Sequence, residues 1–169
     1  MRNQYLISTL SGIEFLHDLP DEQLEQLAKV ARISDFEAFE TIFPEGAVAD
    51  SVYLVVSGNV SLEICAPGVG CKRILTVGGG ELLGWSGLMA GARLTATARA
   101  LEPTRVVRFD SAQLLALCQH DLRFGFELMR RALAAVARRL NATRMQLLDV
   151  YGSQFPTVSN PGVPSDGRH

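Results

Sequence analysis

Hydrophobic positions divide the chain into stretches of different period. Through about residues 12–31, Leu24, Leu27, Ala28 and Ala31 recur on one face of a helix. Leu19-Pro20-Asp21-Glu22 marks its start, with proline early and acids in the first turn. Residues 33–109 carry short runs rich in β-branched side chains: Ser51–Val56, Asn59–Cys65, Arg73–Val77 and Arg105–Phe109. Turn chemistry separates them at Pro44-Glu45-Gly46, Ser57-Gly58-Asn59, Pro67-Gly68, Gly78-Gly79-Gly80 and Glu102-Pro103-Thr104. This spacing predicts an antiparallel sandwich or barrel, so the fold class is mainly β with helices. A short helix follows from Ser111, expected to cap it, to Cys118. A long helix then covers 121–150, and residues 151–169, rich in Gly, Ser and Pro, read as a flexible tail.

The long helix carries a seam. Leu122, Phe126, Met129, Leu133, Val136, Leu140, Thr143, Leu147 and Val150 alternate in steps of four and three. All but Thr143 are apolar, as two helices wrapped around each other require. Phe124, Leu128, Ala132 and Ala135 add a second apolar face. A helix apolar on two faces wants two partners, here its own β domain and the same helix of a second subunit. Thr143 has two open readings: a hydroxyl bonded to the carbonyl one turn back, or one offered to a ligand beside the seam. Arg130-Arg131, Arg138-Arg139 and Arg144 stud the remaining faces and read as a solvated flank with intersubunit ion pairs rather than a DNA stripe.

Composition narrows the function. The chain has 169 residues, 47% hydrophobic and 20% charged, enough for one domain with a sizeable core. A net charge of −2 argues against a basic nucleic-acid binder. Fourteen arginines stand against two lysines, a bias that fits either a GC-rich genome or selection for anion-binding forks. No apolar run reaches the roughly 18 residues of a membrane span, and no signal peptide is visible. Cys65, Cys71 and Cys118 are odd in number and lack CxxC spacing. They argue for a reducing cytoplasm and against a disulfide framework or zinc site. No metal site is expected. HExxH, Walker and GxSxG patterns are missing, and no nucleophile, base and orienting group converge, so no enzyme is expected.

The β zone also carries family landmarks. Pro44-Glu45-Gly46, Ser51–Val60, Gly80-Glu81-Leu82-Leu83-Gly84 and Thr95–Ala100 resemble the cyclic nucleotide-binding domain. Phe15–Pro20 and Ala137-Arg138-Arg139-Leu140 are similar to phrases of the CRP/FNR regulator superfamily. The resemblance covers residues 12–150. It implies a β-roll in a jelly-roll arrangement plus a long C-terminal dimerisation helix, with a ligand between β-roll and helix.

Two departures follow from the same comparison. Members of that superfamily carry a helix-turn-helix after the long helix. Residues 151–169 have neither the periodicity nor the caps for one, so DNA binding in the family manner is not expected. The phosphate cassette falls on Gly84, Trp85, Ser86, Gly87 and Leu88, followed by Arg93, Leu94, Thr95 and Ala96. Nucleotide-binding members have a glutamate at the Trp85 position and an arginine at the Leu94 position. Arg93 is one residue early, which in a strand turns a side chain to the other face.

A buried charge-assisted hydrogen bond contributes about 1.5–3 kcal/mol. Losing both contacts weakens nucleotide binding by about two to four decades. A cyclic nucleotide thus stays open as the ligand but is disfavoured by Trp85 and Leu94. Trp85 reads either as a core or pocket-filling aromatic or as a stacking platform for another planar ligand. Thr143 falls where relatives place a threonine that reaches the base.

Three functions fit these residues. The first is a dimeric ligand-sensing module that passes its response to a partner protein. The second is a pocketless interaction scaffold. The third is a haem-based gas sensor with Cys71, His17 or His120 as axial ligand.

Overall fold

The computed structural model describes residues 1–157. Its helices are α1 (Arg2–Ser11), α2 (Asp21–Val30), α3 (Ser111–His120) and α4 (Leu122–Tyr151). Its strands are β1 (Ala31–Phe36), β2 (Thr41–Phe43), β3 (Ser51–Ser57), β4 (Asn59–Ala66), β5 (Gly70–Gly78), β6 (Leu82–Leu83), β7 (Thr97–Ala100) and β8 (Thr104–Asp110). Short 3-10 turns lie at Glu14–Leu16, Trp85–Leu88 and Gly152–Gln154. Of the expected flexible tail, residues 158–169 lie outside the described residues.

The strands form two four-stranded antiparallel sheets, ordered β1-β8-β3-β6 and β2-β7-β4-β5. The mainly β roll with flanking helices is therefore present. The first sheet is the middle layer. Val52 and Leu54 of β3 join a core with the helices, while Tyr53 and Val55 join a second core between the sheets. Burial on both faces explains why β3 reads Val-Tyr-Leu-Val-Val rather than alternating with polar residues.

Three elements differ from expectation. The N-terminal segment forms a helix, α1, which buries Leu6 and Leu10 at 8% and 0% exposure in the same core as α2. Its apolar positions are too few to announce it. Ala31 opens β1 and pairs with Phe109, rather than ending the preceding helix. Asp110, not Ser111, caps α3: its carboxylate accepts the Gln113 N–H at 2.9 Å, while the Ser111 hydroxyl donates to the Ala49 carbonyl.

Contrary to the expectation from cysteine number and spacing, Cys65 and Cys71 form a disulfide. Hairpin register sets Cys65 of β4 directly opposite Cys71 of β5. Cys118 is a buried free thiol, whose pKa burial pushes up.

The helix α4 is capped by the Asp121 carboxylate, which accepts the Phe124 N–H at 3.0 Å. Phe124, Leu128, Ala132 and Ala135 are buried in the helix-side core. Each large side chain there contributes about 1.5–3 kcal/mol. The opposite stripe lies open: Leu122, Phe126 and Leu133 are 75%, 71% and 70% exposed. Among the described residues no helix is long and apolar enough to cross a membrane.

Candidate functional site

The cassette region is built around two glycines. Gly84 takes φ +73°, and a Cβ there would meet Tyr53 Cδ2 at 3.1 Å. Gly87 sits so close to the start of β3 that a Cβ would stand 2.5 Å from the Ser51 carbonyl. These contacts press the 3-10 turn Trp85–Leu88 onto β3, with Ser86 2% exposed. Trp85 and Leu88 are partly buried against the helix-side core.

Downstream, Arg93 and Leu94 point apart as the strand argument requires. Arg93 is exposed, bridges Val48, and donates its guanidinium to the Gly46 carbonyl at 2.8 Å. Leu94 is 7% exposed and packs between the sheets with Phe43, Tyr53 and Ala98. The interior of the roll near the cassette therefore presents apolar side chains. Burial pushes the Tyr53 phenol pKa up, consistent with that dry surround. Thr95 is exposed and Ala96 half-buried. Thr143 takes the inexpensive alternative, its hydroxyl donating to the Arg139 carbonyl at 2.8 Å.

The space between roll and helix is a crevice of about 1040 Å³. Glu14, Asp18, Glu81 and Leu82 line one wall, and Arg130, Arg131, Arg138 and Arg139 of α4 the other. The cassette residues named from sequence do not line it. Two arginine pairs eight residues apart lie on one side of a helix, and that spacing was the available signal.

Arg130, Arg138 and Arg144 are exposed, while Arg131 and Arg139 are half-buried. Glu127 gathers Arg130 and Arg131 on its own helix, at 2.6 and 2.8 Å. Those two donors hold its carboxyl well below the usual range, at about 2. Arg131 also donates to the Phe15 carbonyl at 2.9 Å, tying α4 to the Glu14–Leu16 turn. Arg139 donates to the Leu82 carbonyl, with its Nη1 buried and unpartnered among the described residues. Burial lowers its pKa. Among the described residues no carboxylate lies within ion-pair distance of Arg139, and the charge of Glu81 partly offsets the cost of its burial.

The haem candidates are spread. Cys71 is bonded to Cys65, His17 pairs with its neighbour Asp18 at 3.0 Å, and His120 ends α3.

Comparison with known proteins agrees with this geometry. The family model of the cyclic nucleotide-binding domain matches residues 33–121. A CRP-like cAMP-activated global transcriptional regulator of Mycobacterium tuberculosis is 28% identical over 123 residues, covering 72% of this chain and 53% of that protein. The chain thus spans about half the length of that curated relative.

Among solved structures, the N-terminal domain of a transcriptional regulator from Streptomyces coelicolor A3(2) superposes with TM-score 0.63 at 28% identity, covering 80% of this chain and 94% of that one. A cyclic nucleotide-binding domain from Methylobacillus flagellatus KT shares the fold, with TM-score 0.75 at 19% identity over 94% of this chain and 88% of that one. A two-sheet roll, a glycine-set turn after β6, a long closing helix and a family match over more than half its length together place this chain in the cyclic nucleotide-binding domain family.

Proposed function

We propose that the chain is a dimeric ligand-sensing module whose phosphate cassette has degenerated and whose ligand lies in the crevice beside α4. One observation carries the reading. Leu94 fills the interior position where an arginine would neutralise a phosphate, and Arg93 is turned away to Gly46. The 1040 Å³ crevice supports a binding role over a pocketless scaffold. The exposed stripe from Leu122 to Val150 supports pairing with the same helix of a second copy. A ligand wedged between roll and helix then biases how two such helices meet, which is the two-state element a sensor needs.

In this reading the module acts by binding rather than turnover and passes its response to a partner protein. A cytoplasmic location follows from the likeness to regulators.

Calorimetry with cyclic AMP and cyclic GMP tests the cassette. A loss of about two to four decades puts saturation above the micromolar range for both. A micromolar Kd for either would show that Trp85 and Leu94 do not disable the site.

A further inference from the structure

We propose that Cys65 and Cys71 form a reversible thiol–disulfide modification site whose state is felt at residues 94–97. The two cysteines are exposed, at the far end of the β4–β5 hairpin, and directly opposite in register. The ladder of the preceding β4–β5 pairs brings them close before any bond forms, so closing the bond needs little reorganisation. Exposure gives a small thiol access to either sulfur, the setting in which disulfides are labile. The third thiol does not compete, because Cys118 is buried and its thiolate disfavoured.

The chemistry balances with a low-molecular-weight disulfide such as oxidised glutathione. A Cys thiolate attacks it, giving a mixed disulfide and one glutathione thiolate. The second Cys then displaces the other glutathione. One S–S bond forms in the protein and one breaks in glutathione. The protein loses two electrons and two protons, and glutathione gains them as two thiols.

The coupling runs through one carboxylate. Glu45 Oε2 accepts the Cys65 N–H at 3.3 Å, and the Glu45 N–H donates to Thr97 Oγ1 at 2.9 Å. The adjacent Gly46 N–H donates to the Leu94 carbonyl at 2.8 Å, and the Gly46 carbonyl accepts Arg93. The hairpin beyond the irregularity at Leu62/Glu63 is clipped by the bond. Reduction lets this end fray and loosens its hold on Glu45. The site stands apart from the ligand reading above and holds whether or not the crevice is filled.

The test uses the full chain in glutathione mixtures of stepped ratio. Disulfide content is read by alkylation and mass, and backbone order by hydrogen exchange. The expected result is a two-electron transition inside the glutathione range. Amides of residues 45–46 and 94–97 should exchange severalfold faster in the reduced protein. Glu45→Ala should keep the transition but abolish the exchange difference at 94–97, and the Cys65→Ser/Cys71→Ser variant should match the reduced protein. A pair that stays in one state across all mixtures overturns the proposal, as does equal exchange at 94–97 in both states.

Discussion

At the scale of single residues, charge placement and close approach decide what the sequence can do. Glu127 is the sharpest case, because one carboxylate serves two arginines on the crevice wall. Its pKa falls from 4.5 to about 2, so the ionised form stabilises the fold above pH 4.5. That contribution is lost as pH falls from 4.5 toward 2. Urea melts of Glu127→Gln should show a flatter decline than the parent across this window. At pH 7 the loss should stay within about 1 kcal/mol, since these pairs are partly solvated. An unchanged acid limb would mean that the two arginines do not hold Glu127 in solution.

Leu94 illustrates the limits of residue reading. The sequence shows that Arg93 and Leu94 face opposite ways, a consequence of the two-residue period of extended backbone. That Leu94 is the inward one follows only from its packing on Phe43 and Tyr53.

At the scale of elements, period and caps announced most of the structure. The β3, β4, β5 and β8 runs, the start of α2 and nearly the whole of α4 were legible from their patterns. The elements that escaped are short or depend on neighbours. The strands β2 and β6 have three and two residues and exist as ladder partners, not through propensity. The helix α1 has a weak apolar stripe and is held by docking on α2. Leu10 is fully buried there, so Leu10→Ala should destabilise the whole fold by about 2–5 kcal/mol. A chemical-denaturation midpoint unchanged by this substitution would show that α1 is a loose appendage.

At the scale of the molecule, the long helix has one face spent and one face free. Phe124, Leu128, Ala132 and Ala135 are in the core, and the seam is open. If that seam pairs two copies, Leu133→Glu removes an apolar contact twice and places two charges together. Burial of one leucine contributes about 1.5–3 kcal/mol, so the dimer should weaken by two or more decades, about 3–6 kcal/mol in all. Analytical ultracentrifugation should find the parent dimeric and the variant monomeric at micromolar concentration, with α4 still helical by circular dichroism. A monomeric parent would remove the helix-pairing switch and leave the crevice as a site on a single chain.

The sequence by itself determined the layers of this protein. Alternation of apolar residues, turn glycines and a seven-residue repeat are local signals, set by backbone geometry within a few residues. They sufficed for an antiparallel sandwich or barrel with a long two-faced helix, and the family resemblance narrowed this to a β-roll. The family resemblance also singled out Trp85 and Leu94, which stand where nucleotide-binding members carry a glutamate and an arginine. Only the tertiary structure decided which surfaces meet. The crevice sets Glu14 and Glu81 across from arginines of α4 far along the chain. The Cys65–Cys71 bond depends on hairpin register, and the burial of Arg139 depends on Leu82 standing beside it. These are contacts between distant residues, fixed by how the faces of whole elements pack, and no local pattern encodes them.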